Sequence, residues 1–257
     1  MALNNVACPR ATLFRIARVS PAPHTDGAAR VALVVPVLDE ARELPALASE
    51  LAALAPRCEI VVVDGGSGDG TRERLERHAA EAGYRVLAAP RGRARQMNAG
   101  ARATRAPVLL FAHADTRLPP GAIDEAARAI DGGATFGCFR LRIAAADPRL
   151  RLAARLITLR SRLLPSATGD QAIFVARDAF DRIGGYRDLA LCEDLDLIAR
   201  LRPLGRFALA DGAVTTSARR WARHGVGRTI ATMWMLRLGY HLGVPPESLA
   251  RLYPPAR

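Results

Sequence analysis

The sequence predicts an α/β fold with a mostly parallel central sheet flanked by helices and a helical C-terminal tail. Three observations point there. Val31 to Leu38 and Glu59 to Asp64 are unbroken apolar runs rich in β-branched residues, the pattern of strands buried on both faces. Stretches with apolar residues at helical spacing alternate with such runs, as βαβ units require. Polar and glycine-rich residues stand at the ends of the runs, where open α/β sheets bind their ligands.

Val31 to Leu38 is the first strand. Leu44, Leu47, Leu51 and Leu54 then recur on one helical face, with Pro45 suited to a first turn. Glu59 to Asp64 runs into the glycine-rich turn Gly65 to Gly70, and a polar helix starts near Thr71. A third strand, Arg85 to Ala88, precedes a helix over Ala94 to Thr104. A fourth strand, Val108 to Ala112, ends in His113-Ala114-Asp115, and Pro119 to Gly121 opens the next helix. Thr135 to Ile143 alternates like a strand with one polar face, and Arg149 to Leu164 has helical periodicity. Gly169-Asp170-Gln171 leads into a short strand, Ala172 to Ala176, and Gly184-Gly185-Tyr186 forms a turn. Glu193-Asp194 begins a helix running to Leu204. A pair of strands is expected around Phe207 to Thr216, followed by Arg219-Arg220-Trp221 and a helical tail.

With 257 residues, 50% hydrophobic and 24% charged, the chain can bury a core, which excludes a disordered protein. No apolar stretch reaches the roughly 18 uncharged residues of a membrane-spanning helix. Lys+Arg total 37 against 25 Asp+Glu, a net charge of +12, and every basic residue is Arg. An Arg-rich solvated surface accounts for this. So does attraction to polyanions such as nucleotide phosphates, an anionic membrane face or nucleic acid. Arg suits bidentate phosphate contacts, so both readings can hold. Scattered Arg and few aromatics argue against dedicated single-strand stacking platforms, and no nucleic-acid partner is expected. Cys8, Cys58, Cys138 and Cys192 form no Cys-x-x-Cys pair, which fits free thiols in a reducing cytoplasm. The first 29 residues read as a poorly structured leader without a secretory apolar core.

Three polar clusters should meet at the carboxyl edge of the sheet: Asp39-Glu40, Asp64 with its turn, and His113-Ala114-Asp115. The turn fits neither a dinucleotide fingerprint, because Thr71 replaces the third glycine, nor a phosphate loop, because there is no Lys. It is either an ordinary strand-to-helix connection or an anion cradle. Asp115 either caps the next turn or binds a divalent cation shared with substrate phosphates. Glu193-Asp194 reads as helix-start carboxylates or as a general base. Arg219-Arg220-Trp221 reads as a surface basic pair or as guanidinium groups steadying a diphosphate.

Taken together and in this order, these residues resemble the family 2 glycosyltransferases, inverting enzymes with the GT-A fold. Val-Val-Pro36-Val-Leu38-Asp-Glu40 resembles that family's first strand and turn. Asp64-Gly65-Gly66-Ser-Gly-Asp-Gly-Thr71 resembles its Asp-Asp-Gly-Ser-x-Asp-Gly-Thr segment, with Gly65 replacing the second Asp. Arg95-Gln-Met-Asn98-Ala-Gly resembles the segment near the nucleotide, and His113-Ala114-Asp115 stands where Asp-x-Asp is usual. Glu193-Asp194 and Arg220-Trp221 resemble the family's Glu-Asp and Arg-Trp pairs. The Asp-Gly-Gly-Ser, His-Ala-Asp-Thr-Arg-Leu-Pro-Pro-Gly and Gly-Asp-Gln segments resemble a bacterial subgroup, the rSAM/selenodomain-associated transferases.

The resemblance implies a catalytic domain over 30–221 and a helical extension over 222–257, packed on that domain or on a membrane surface. It implies an enzyme moving a sugar from a nucleotide-diphosphate donor, with UDP-sugars first, to an acceptor that includes lipid-linked candidates. Asp194, Glu193 and Arg220 would be catalytic. Pro36, Leu38, Glu40, Asp64, Gly66, Arg95, Asn98, Asp115 and Trp221 would bind the nucleotide sugar. Gly169, Asp170 and Gln171 would face the acceptor. Asp115 and His113 would hold Mn²⁺ or Mg²⁺, and imidazole in place of a carboxylate relatively favours Mn²⁺. A nucleotidyltransferase on a related scaffold and a non-enzymatic polyanion-binding protein are the alternatives. Trp234, Met235 and Leu238 in the tail suit either a helix docked on the domain or one lying in a membrane interface.

Overall fold

The computed structural model describes residues 29–253, so the expected leader, apart from Ala29, lies outside the described residues. Strands β1 (Val31–Val37), β2 (Glu59–Asp64), β3 (Arg85–Ala88) and β4 (Val108–Phe111) alternate with helices α1 (Leu44–Leu54), α2 (Thr71–Ala82) and α3 (Arg93–Arg102). β1 pairs in parallel with β2 and β4, and β2 with β3. Strand side chains point alternately to the two faces. Leu33 and Val35 therefore enter one core with Leu47 and Leu51, while Ala32 and Val34 enter a second core with Met97 and Ala101. Both faces of β1 are thus covered, which is why its sequence is apolar without a break.

The second half contributes β5 (Thr116–Arg117), α4 (Ala122–Asp131), β6 (Ala134–Ala144), α5 (Pro148–Leu163), β7 (Ile173–Ala176), α6 (Arg177–Arg182), α7 (Glu193–Leu201) and β8 (Arg206–Ser217). The eight strands form one sheet in the order β3-β2-β1-β4-β7-β6-β8-β5. β7 runs antiparallel to β4 and β6, β5 antiparallel to β8, and β6 and β8 are parallel. The sheet is parallel through β4 and mixed beyond it.

The strand pair expected around Phe207 to Thr216 is a single long strand, β8. Asp211-Gly212 forms an irregularity opposite Phe139, between the Cys138↔Leu209 and Arg140↔Ala213 pairs. The Glu125 carboxylate accepts the amides of both Asp211 and Gly212, so the disrupted backbone keeps its partners. A Cβ on Gly212 would lie 2.7 Å from that carboxylate.

The tail forms α8 (Arg219–His224), α9 (Val226–His241) and α10 (Pro246–Arg251). The boundary drawn after residue 221 falls inside α8. Val226, Ile230 and Met233 of α9 pack against the first core, and Leu236 joins Cys192 and Leu249 in a small third cluster. Among the described residues no helix is long and apolar enough to cross a membrane.

Candidate functional site

Because β1, β2 and β4 are parallel and in register, their carboxyl ends share one edge of the sheet. The turns after β1 and β2 are laced together there. The Asp39 amide donates to Ser67 Oγ at 2.8 Å, the Gly68 amide to Asp39 Oδ1 at 2.9 Å, and the Glu40 amide to Thr71 Oγ1 at 2.9 Å. Asp64 is buried, and its carboxylate accepts from the Gly66 and Ser67 amides. It therefore shapes the turn from beneath. Pro36 is likewise buried within β1, whereas Leu38 is half-buried and Gly66 exposed.

Gln96 explains the departure at Gly65. Its side chain is 3% exposed and donates to the Val37 and Val63 carbonyls at 2.7 and 2.8 Å. A Cβ on Gly65 would lie 2.9 Å from its amide. Gln96 thus ties the ends of β1 and β2 and occupies the space an aspartate would need. Replacing Gln96 with Leu leaves two buried carbonyls without that donor and should cost about 2 kcal/mol. Urea unfolding of the variant measures it.

Arg219 bridges three carboxylates at this edge: Glu40 at 3.3 Å, Glu43 at 3.3 Å and Asp115 at 3.4 Å. Arg220, the residue singled out in sequence, instead lies over the Tyr253 ring, 4.1 Å from its centroid. Trp221 is buried in the first core, with an edge on the cavity described below. Arg95 pairs with Asp188 at 2.7 Å, and Asn98 clamps the Tyr186 backbone through its carbonyl and amide.

A cavity of about 530 Å³ opens beside this edge and brings together His113, Gly169, Asp170, Glu193, Asp194 and Trp221. His113 Nδ1 lies 3.3 Å from Asp170 Oδ1. Burial works to raise the Asp170 pKa, but the His113 hydrogen bond and the charges of His113, Arg93 and Arg220 hold it below the ordinary range. Gly169 presses on His113, for a Cβ there would lie 2.6 Å from the imidazole. The Gly169 amide donates to Asp194 Oδ2 and the Leu195 amide to Asp194 Oδ1, both at 2.8 Å. Cys192, just before the acidic pair, has φ 65°, a conformation costly for a non-glycine residue that here turns the chain into α7.

Glu193 is buried, and burial followed by the charge of Asp194 raises its pKa. A carboxyl whose folded pKa exceeds its unfolded one loses stability for the fold as pH rises from the ordinary carboxylate range through the raised value. Glu193→Gln should therefore raise Tm relative to wild type, and by more at about pH 7.5 than at about pH 4. Thermal unfolding at both pH values checks the sign.

Gln171 does not face the cavity. It is fully buried, donating to the Phe139 carbonyl and Ser161 and accepting from the Thr168 amide, so it braces the loop that carries Gly169 and Asp170. Arg93 was not expected in the site, yet it lines the cavity near Glu193, Asp170 and Asp115. Its signal was positional: residues 93, 96 and 97 share one helical face, whereas Arg95 points elsewhere.

No three His, Cys, Asp or Glu side chains gather as metal ligands among the described residues. Asp115 and His113 stand at the end of β4, with Asp115 facing Arg219 and His113 facing Asp170. These donors fit a cation that shares its shell with substrate phosphates and water, and do not fit a cage made by protein alone.

The mixed sheet, its helices on both faces and the carboxyl-edge cleft define a GT-A-like α/β domain. The glycosyl transferase family 2 sequence model matches residues 32–187, and the chain belongs to that family. No curated protein matches the chain. Among solved structures, the mannosyltransferase PcManGT from Pyrobaculum calidifontis, in complex with GDP-Man and Mn²⁺, is similar with a TM-score of 0.62 and 20% identity. That match covers 93% of this chain and 69% of that one. S. aureus TarS 1–349, in complex with UDP-GlcNAc, is similar with a TM-score of 0.59 and 16% identity, over 73% of this chain. The chain spans 58% of that TarS fragment's length.

Proposed function

We propose that this protein is an inverting glycosyltransferase that moves a sugar from a nucleoside-diphosphate donor to an acceptor hydroxyl. The observation that carries this reading is Asp194, held by two backbone amides on the cavity beside His113 and Asp170 in a chain of this family. Each Asp194 oxygen keeps a free lone pair for an incoming hydroxyl. The acceptor oxygen attacks the anomeric carbon and its proton passes to Asp194. The bond to the diphosphate oxygen breaks on the opposite face, and the leaving group keeps the electron pair. One displacement inverts configuration.

On the donor side, Glu40, Arg95 and the turn from Asp64 to Thr71 form the nucleoside end. Arg219, beside Asp115, provides the positive charge nearest the diphosphate, with Arg93 and Arg220 behind it. Mn²⁺ or Mg²⁺ belongs to this proposal. Asp115, with His113, would hold it, and it would neutralise charge on the diphosphate. UDP- and GDP-sugars are the first donors to try, since similar folds hold UDP-GlcNAc and GDP-Man. The narrower resemblance to the rSAM/selenodomain-associated subgroup is part of this reading. So is a cytoplasmic setting, on the free buried thiols Cys58, Cys138 and Cys192.

The direct test is a thermal-shift panel of UDP-, GDP- and dTDP-sugars, each with Mn²⁺ or Mg²⁺, followed by detection of released nucleoside diphosphate. One donor should raise Tm and be consumed. Pyrophosphate release from a nucleoside triphosphate and a sugar phosphate would instead establish a nucleotidyltransferase.

A further inference from the structure

The cavity continues past Asp194 as an apolar trough between α5 and α9. Ile157, Ile230, Met233 and Leu236 wall its interior. Its rim is left open: Leu156 is 55% exposed, Leu163 70% and Trp234 67%. Large apolar side chains held this far into solvent beside a deep cavity mark a surface that receives something apolar.

Two cations sit inside this trough, Arg160 from α5 and Arg237 from α9. Arg160 Nη2 donates to Gln171 Oε1 at 3.3 Å, and Arg237 Nη2 donates to Ser166 Oγ at 3.1 Å. Arg160 Nε and Arg237 Nη1 are buried and have no hydrogen-bond partner among the described residues. The pair is also self-repelling. Burial first, and then the charge of Arg237, push the Arg160 guanidinium down to about 10, so it remains charged at neutral pH. Arg237 is lowered too, chiefly by burial. Unsatisfied buried N–H groups on like charges are unfavourable for a fold, and such groups in a cleft point to a ligand. Asp194 contributes an opposing charge to both, on the same cavity.

We propose that the acceptor is an amphiphile: a phosphate monoester group bound by Arg160 and Arg237, with an apolar chain lying in the trough between α5 and α9. Guanidinium groups recognise phosphate through paired N–H donors, and the open N–H groups are of that kind. The apolar walls exclude a free inorganic ion as the preferred occupant, because they leave its remaining oxygens without partners. The chain leaves by the rim of Leu156, Leu163 and Trp234, so those side chains contact it or the membrane that holds it. That the bound amphiphile presents a hydroxyl to Asp194 rests on the glycosyl-transfer reading. The binding site itself does not.

The chain's two tryptophans, Trp221 and Trp234, both line the cavity, so intrinsic fluorescence reports occupancy. Dodecyl phosphate below its micelle concentration should shift the emission saturably. Octaethylene glycol dodecyl ether and inorganic phosphate should each bind at least about tenfold more weakly. Arg160→Gln and Arg237→Gln should each weaken dodecyl phosphate by about tenfold or more while UDP affinity is unchanged. Circular dichroism checks that both variants fold. Leu156→Ser, on the exposed rim, should weaken dodecyl phosphate several-fold and leave inorganic phosphate unaffected. Equal binding of the uncharged amphiphile overturns the anion site. Equal binding of inorganic phosphate overturns the apolar chain, and wild-type affinity in both arginine variants overturns the assignment of the residues. If dodecyl phosphate binds as described but no nucleotide sugar does, the glycosyl-transfer reading fails and this site stands. If nucleotide sugars bind and dodecyl phosphate does not, the reverse holds.

Discussion

Asp194→Asn is expected to lower kcat about a thousand-fold or more while nucleotide-sugar affinity stays within a factor of two or so of wild type. The substitution removes the proton acceptor and little else. The Asn amide oxygen can still accept one of the two backbone N–H groups that now meet the carboxylate, those of Gly169 and Leu195. The other loses its partner, which costs about 1 kcal/mol of stability and leaves the cavity wall in place. The donor side, with Glu40, Asp115 and Arg219, is joined by its own ion pairs and none of them involves Asp194. Calorimetric titration of the donor and a product assay on the same sample separate the two effects. Transfer at the wild-type rate removes Asp194 from the mechanism.

Gly137→Ala should carry the largest stability loss, about 3 kcal/mol. A Cβ at that position would lie 2.2 Å from the Ala208 carbonyl oxygen and 2.3 Å from Phe174 Cζ. Neither neighbour can yield. Ala208 is the β8 residue paired with Gly137, and Phe174 is fully buried with its ring edge-on to Phe139 at 5.6 Å. The joint between β7, β6 and β8 would have to open, and that joint supports the loop of Gly169 and Asp170. Denaturant unfolding measures the loss. Gly68→Ala is the matched control, since nothing lies within 4 Å of a Cβ there, and it should shift stability by no more than about 0.5 kcal/mol.

The two strands nearest the site were legible because burial on both faces leaves a run such as Val31 to Val37 with no polar residue to confuse the pattern. The turn after Asp64 was legible as a turn, but its carboxylate's inward direction was not. Asp39 and Glu40 close on Ser67 and Thr71 only after the two loops meet, and Ser67 in turn holds the Asp64 carboxylate. β8 is one strand where a pair was expected, because a contact from outside its own segment keeps it in strand pairing. The Glu125 carboxylate that holds the chain in strand pairing there comes from a distant helix, α4.

Arg219 and Arg220 make the same point at finer scale. Adjacent residues on a helix diverge by about 100°, so the two guanidinium groups take different partners. Spacing leaves the choice open. Burial of Trp221 in the core turns Arg219 to Glu40 and Asp115 and Arg220 to the Tyr253 ring.

The chain's own residues determined the α/β class, the parallel half of the sheet and the edge at which the acidic clusters gather, because these follow from hydrophobic periodicity and strand direction. Tertiary packing alone decided which guanidinium meets which carboxylate, that Gln171 is a brace, and that Arg160 and Arg237 share one apolar trough. Those outcomes depend on side chains from distant segments competing for the same space, and that competition exists only once the segments touch.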